Sequence, residues 1–210
     1  MPPTASASAP ARLPRGRHGL PRDHVVRSQR LRLMRAMAET MARQGYARTT
    51  VADVLRGARV SRETFYEQFA SKEDCFLAAY GAAAELLLAD LPAPDAANAD
   101  ADRLAVFERG LGAYLDALAA EPEFARLFLV EVYAAGPDAI SLRMAMQQRF
   151  VDRLSATLDP EARERFAVEA LVATIAQMVT AKLAVGDVEG VRELRRPLTA
   201  LVARALEGHA

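Results

Sequence analysis

Histidine and cysteine are nearly absent from this 210-residue sequence: three histidines, all near the termini (His18, His24, His209), and one cysteine, Cys75. With one cysteine no internal disulfide is possible, which suits a reducing cytosol. No Cys/His cluster has the spacing of a metal site. There is no glycine-rich phosphate loop, and no alternating strand pattern to precede one. No stretch reaches 18 uncharged apolar residues, so no transmembrane helix is expected. The start of the chain lacks the apolar segment of a signal peptide. These absences point away from metalloenzymes, nucleotide enzymes and membrane proteins, and the expectation is a non-enzyme without a cofactor.

What is present is helix, and charge sorted along the chain. The composition is 51% hydrophobic, enough for one or two helical cores. Formal net charge is zero, but up to Lys72 there are 14 Lys/Arg against 5 Asp/Glu, a net of +9, and beyond it 13 against 22, a net of −9. A basic end on an acidic body suggests nucleic-acid binding at that end. Five of the 14 cations lie at or before Arg27, so a basic leader accounts for only part of the excess. Residues 1–22, rich in proline, alanine and arginine, are expected to be disordered. Arg12, Arg15, Arg17 and His18 would make a basic arm, either an ordinary solvated leader or one reaching a minor groove.

The stretch from Gly45 to Phe76 carries the strongest pattern. Thr50 has Asp53 three residues on, Ser61 has Thr64, and Ser71 has Asp74. A cap hydroxyl accepts from a free backbone N–H at a helix start, and an acid three residues on can return a bond. Helices are therefore predicted to start after residues 50, 61 and 71. Val51, Val54, Leu55 and Ala58 share one side of the first, and Val60, Phe65 and Phe69 can close a small core. Ser61, Arg62, Glu63, Thr64, Tyr66 and Glu67 are left outside. Two short helices at a tight turn fit a helix-turn-helix, whose second helix enters the major groove. An ordinary helical hairpin with a solvated face has the same spacing.

Helical periodicity continues on both sides. Asp23 to about Gln44 places Val26, Leu33, Met34, Met37, Ala38 and Met41 near one face, with Asp23 as cap and Gly45 as C-cap; the opposite face carries Arg27, Arg30, Arg32 and Arg35. A long helix is predicted from Ser71 to about Leu91, broken by Pro92 and Pro94. Helices follow at about 101–119, 121–135 and 138–158, then from Asp159–Pro160 to about Val185. Gly186 to Gly190 forms a loop, and a last helix ends near Gly208, with Pro197 either kinking it or marking its start. The class is all-α. Cys75 is expected to be a small core residue.

On Gly45-Tyr46, Thr49-Thr50-Val51, Ala58, Val60-Ser61, Thr64-Phe65-Tyr66, Phe69 and Ser71-Lys72-Glu73, the stretch resembles the DNA-binding domain of the TetR/AcrR family of bacterial transcription regulators. The resemblance covers about 50 residues with the preceding helix included. It implies a three-helix helix-turn-helix domain at 23–70, a linking helix at 71–91 and a helical ligand-binding and dimerisation domain at 92–210. It implies base readout by Arg62 and Thr64, with Ser61 and Glu63 as further candidates, and phosphate contacts by Thr50, Tyr66 and Lys72. Thr50 and Ser61 would in any case serve as caps. Two residues depart from the family pattern. Arg59 stands where glycine is usual, so a positive φ there would cost stability. Glu63 stands where glycine is frequent, and phosphate would repel it unless it accepts from a cytosine amino group.

The same resemblance implies a homodimer through the last two helices, with Val191, Leu194, Leu198, Leu201 and Ala205 on one stripe, joined by Val202 and Leu206. Packing of that stripe within the chain is the alternative. It implies a small-molecule effector, apolar or aromatic, in the C-terminal body, with Phe107, Tyr114, Phe128, Tyr133, Met144 and Gln147 as candidate lining. Each of these could instead be plain core. The expected function is a cytoplasmic, ligand-responsive regulator, a repressor more than an activator, on a pseudo-palindromic operator. The alternative is a helical protein that coats DNA without sequence preference or ligand control.

Overall fold

A computed structural model describes residues 22–89, 103–158 and 165–207. The basic arm, the loop at 92–101, the Asp159–Pro160 start and the end of the chain lie outside the described residues. Among the described residues every regular element is helical, as the periodicity predicts. The helices are α1 (Arg22–Gln44), α2 (Val51–Ala58), α3 (Arg62–Gln68), α4 (Lys72–Ala89), α5 (Arg103–Ala120), α6 (Pro122–Leu129), α7 (Pro137–Leu158), α8 (Arg165–Ala184), α9 (Val188–Glu193) and α10 (Arg195–Glu207).

The three hydroxyl caps set the starts of α2, α3 and α4. The Asp53 N–H donates to Thr50 Oγ1 at 3.2 Å, while the Thr50 N–H donates to the Asp53 carboxylate at 3.0 Å. Ser61 Oγ accepts from the Thr64 N–H at 3.0 Å, and Ser71 Oγ from the Asp74 N–H at 3.0 Å. Gly45 closes α1 at φ +76°, a conformation costly for any residue with a Cβ. Asp23 falls inside the first turn of α1 rather than before it. Arg59 ends α2 at φ 54°, ψ 50°, the left-handed geometry anticipated for that position.

One contiguous core runs from Leu33, Met37 and Met41 of α1, through Phe65, Phe69, Phe76 and Tyr80, to Leu115, Phe128, Val179 and Val202. α1 packs on α2, α4 and α6, so the first helices lean directly on the later ones. Gly57 lets α2 approach closely, since a Cβ there would meet the Ala36 methyl at 3.1 Å. Cys75 is buried in this core, and burial pushes its thiol up to about 12.

Several expectations need correction. The helix predicted over 121–135 stops at Leu129 and tightens into a short 3-10 turn, Glu131–Ala134. The 186–190 loop is largely helix, α9, started by Asp187, which accepts from the Gly190 N–H. Pro197 lies in the first turn of α10 and marks a start, not a kink. The stripe assigned to a partner is mostly internal: Val191, Leu194, Leu198 and Val202 are buried, with α9 and α10 both packed on α5, and Leu206 is half-buried against the core. Only Leu201 and Ala205 of that set stay exposed. Helical period permits both faces, and the position of α5 decides between them. By length and composition alone α8 could cross a membrane, as a core helix also could; this overturns no expectation, since its Val168, Ile175, Val179 and Leu183 pack in the core. Glu169 and Lys182 interrupt the run, which is why a count of uncharged residues passes over it.

Candidate nucleic-acid interface and ligand cavity

Phe65 and Phe69 anchor α3 from inside, their rings 5.8 Å apart, and so fix which side faces out. Arg30 of α1 locks the far end of α3: it donates to the Gln68 carbonyl at 2.8 Å and sits 4.3 Å over the Phe69 ring. Helical period places Arg30 on the basic outer face; its role as a clamp depends on a contact 38 residues away.

The outer side of α3 carries the residues predicted to read DNA. Ser61, Arg62, Glu63 and Tyr66 are exposed, and Thr64 is half-buried. Among the described residues Arg62 and Glu63 enter no ion pair, so both charges are open to a partner. Tyr66 is 51% exposed and rests its ring edge-on against Phe65 at 5.3 Å, which aims the phenol outward. Thr50 is exposed, but its hydroxyl is engaged with Asp53. Lys72 is turned inward: its ammonium donates to the Tyr46 carbonyl at 3.0 Å and lies 3.9 Å from the Tyr46 ring centre. Desolvation lowers its pKa. Two of its three N–H donors are left for any other acceptor.

A second contact ties this end to the rest of the chain. The Glu131 carboxylate, in the 3-10 turn, accepts from the Tyr46 N–H at 2.9 Å. Arg126 of α6 lies 4.0 Å from the same carboxylate and donates to the Leu183 carbonyl of α8 at 2.9 Å.

Between α4, α5, α6, α7 and α8 lies a cavity of about 70 Å³. Of the six residues proposed to line a ligand site, Phe107, Tyr114, Phe128 and Gln147 do so. Tyr133 and Met144 do not; they are 55% and 68% exposed. Tyr133 acts one step removed, its hydroxyl accepting from Arg143 Nε at 2.9 Å. Met144 follows Arg143 on α7 and points away, because neighbours on a helix do not share a face. Tyr80, Leu111, Leu129, Arg143, Phe150, Leu154, Val172, Ile175 and Ala176 complete the lining. In sequence, Arg143 and Tyr80 look like a solvated cation and a core aromatic, and no signal marks them until α4 and α7 are set side by side. Tyr80 stacks on Phe128 with centroids 4.6 Å apart, and its fully buried hydroxyl has no hydrogen-bond partner. Burial pushes its pKa up to about 12; the nearby Arg143 guanidinium opposes the rise without reaching hydrogen-bond geometry. Burial likewise raises Tyr114, again against Arg143. Among the described residues no group of three or more His, Cys, Asp or Glu side chains could hold a metal ion.

The comparisons with known proteins agree with this arrangement. Residues 33–79 match the family model described as bacterial regulatory proteins, tetR family. No curated protein sequence matches the chain. Among solved structures, the fatty acid degradation regulator FadR from Bacillus halodurans is 17% identical, with TM-score 0.67 over 83% of this chain and 94% of that one. FadR from Bacillus subtilis, in complex with stearoyl-CoA, is 16% identical, with TM-score 0.68 over 82% and 96%. PfmR from Thermus thermophilus, a TetR family transcriptional regulator, is 20% identical, with TM-score 0.64 over 81% and 93%. At these identities the solved structures speak for the fold, and the family model speaks for the helix-turn-helix. Residues 33–79, from within α1 to within α4, therefore match the tetR-family helix-turn-helix model, and the described chain has the fold of solved TetR-family regulators.

Proposed function

We propose that this regulator is a ligand-responsive repressor that binds a pseudo-palindromic operator as a homodimer in the bacterial cytoplasm. The observation that carries this reading is the outer side of α3, where Arg62, Glu63 and Tyr66 stand exposed beside a capped helix start while Phe65 and Phe69 hold the helix from behind. Arg62 and Thr64 read base edges, with Ser61 and Glu63 beside them; Thr50, Tyr66 and Lys72 meet phosphates. Residues 23–70 form the DNA-binding head, 71–91 the linking helix and 92–210 the body. Dimerisation pairs the last two helical segments, chiefly through the exposed side of α8. The cavity receives a small effector. It has nothing like the room for stearoyl-CoA, so the ligand is small or the helices part to admit it. Ligand favours a body conformation whose heads no longer match the operator, and release is a shift of population.

The test is selection of bound DNA from a random duplex library at two salt concentrations. A pseudo-palindrome with half-sites about 10–10.5 base pairs apart, or a multiple of that, is the expected result. Steeply salt-dependent binding that enriches no sequence would instead establish a non-specific coating protein. Arg59 and Glu63 keep that second reading open, since both depart from the family pattern on or beside the reading helix.

A further inference from the structure

The polar groups lining the cavity include a cation, two phenols and an amide, but no carboxylate. Arg143 is the single charged residue in the lining, and among the described residues no carboxylate pairs with it. Its Nε is held by the Tyr133 hydroxyl, and its guanidinium lies 5.0 Å from the Tyr133 ring centre. That clamp fixes the side chain from outside, so the charge is positioned rather than floppy. At the same cavity, the Tyr80 hydroxyl is completely buried and unpartnered. A buried polar group left unpaired costs about 1–3 kcal/mol, and such groups in native proteins call for an explanation. Tyr114 and Gln147 add a further phenol and an amide to the lining. Both phenols are protonated at neutral pH, as any tyrosine is, and burial moves their titration further upward. Arg143, Tyr80 and Tyr114 therefore present a cation and two O–H donors to an otherwise apolar space.

Resting on the reading of this cavity as the effector site, we infer that the effector is a small organic anion, a carboxylate on an aryl or short alkyl group. Its carboxylate takes hydrogen bonds from Arg143 and the Tyr80 hydroxyl, and its apolar part lies against Phe107, Phe128 and Ile175. A carboxylate satisfies the orphaned hydroxyl and neutralises the unpaired cation together, which neither a neutral nor a cationic ligand can do. The cavity of about 70 Å³ is about half the ~150 Å³ that holds a benzene ring, so the lining helices part for an aryl acid to enter.

The experiment is calorimetric titration of the full chain with three probes matched in shape: phenylacetate, phenylacetamide and phenethylamine. The expected order is phenylacetate tightest, by at least tenfold over the amide, with the amine weakest. Arg143→Gln should abolish that preference, and Arg143→Lys should keep part of it by keeping the charge. Tyr80→Phe should weaken phenylacetate several-fold while leaving the amide nearly unchanged, a pattern that loss of packing alone would not give. Equal or tighter binding of the amide or amine to the parent overturns the anion inference and leaves the cavity as a ligand site. Undiminished preference in Arg143→Gln also overturns it. No binding of any probe at millimolar concentration overturns both the inference and the effector reading of the cavity.

Discussion

Arg59 shows how one residue can be legible in sequence and still need the fold to give it a cost. The left-handed geometry at φ 54° is imposed by the tight turn between α2 and α3. For a residue with a Cβ it costs about 1–2 kcal/mol. Arg59→Gly relieves it, less the extra chain entropy of glycine, and should stabilise the protein by up to about 1 kcal/mol. The expected reading is a rise in Tm of about 2–4 °C in a calorimetric scan; no rise would mean that the turn is not strained. Tyr66 and Lys72 belong to the same scale. Tyr66→Phe removes only a hydroxyl that faces solvent, so it should weaken operator binding without changing Tm. Lys72→Ala should lower the slope of log affinity against log salt by about one. Because the ammonium also holds the Tyr46 carbonyl, it should cost stability too. If both variants bind a selected operator as tightly as the parent, with unchanged slope, the phosphate assignments fail.

Among the elements, α8 stands out. One side packs through Val168, Ile175, Val179 and Leu183. The other leaves Phe166 82% exposed, with Ala170, Ala173, Thr174, Gln177 and Ala181 following at three- and four-residue steps, and Val185, just past its end, is 78% exposed. A helix apolar on both sides wants a second partner. The internal burial of Val191, Leu194, Leu198 and Val202 moves the weight of the proposed dimer from α10 onto this side of α8. Ala173→Arg would place a long cation in the middle of the face. It should raise the dimer dissociation constant at least 100-fold in sedimentation equilibrium, about 3 kcal/mol, while helical content stays unchanged. An unaltered dimer would place the interface elsewhere.

In the molecule as a whole, head and body share one core and a polar bridge. Glu131 holds the Tyr46 N–H at the end of α1, and Arg126 connects α6 to the end of α8. The cavity is lined in part by α6 and α8, the two helices that Arg126 joins beside this bridge. Glu131→Gln keeps the shape but lowers the acceptor's charge, and Glu131→Ala leaves the Tyr46 N–H unpaired, at about 1–3 kcal/mol. Both should lower the urea midpoint, Ala more than Gln. Both should also narrow the difference in operator affinity between the free and phenylacetate-bound protein. Full retention of that difference in Glu131→Ala would show that the coupling runs by another route.

The sequence by itself determined the helical class, the starts at Thr50, Ser61 and Ser71, the core face of α1 from Leu33 to Met41 though not at the exposed Val26, and the outward set on α3. Each follows from contacts within about four residues, where cap chemistry and helical period leave few choices. Tertiary structure decided what lies at longer range. It turned Val191, Leu194, Leu198 and Val202 inward onto α5, took Arg30 from the basic face to clamp α3, and turned Lys72 toward Tyr46. It also placed Arg143 and Tyr80, 63 residues apart in the chain, at one cavity while leaving Tyr133 and Met144 outside it. Periodicity marks an apolar face but not its partner, and a cation or phenol acquires a role only from the groups that distant helices bring beside it.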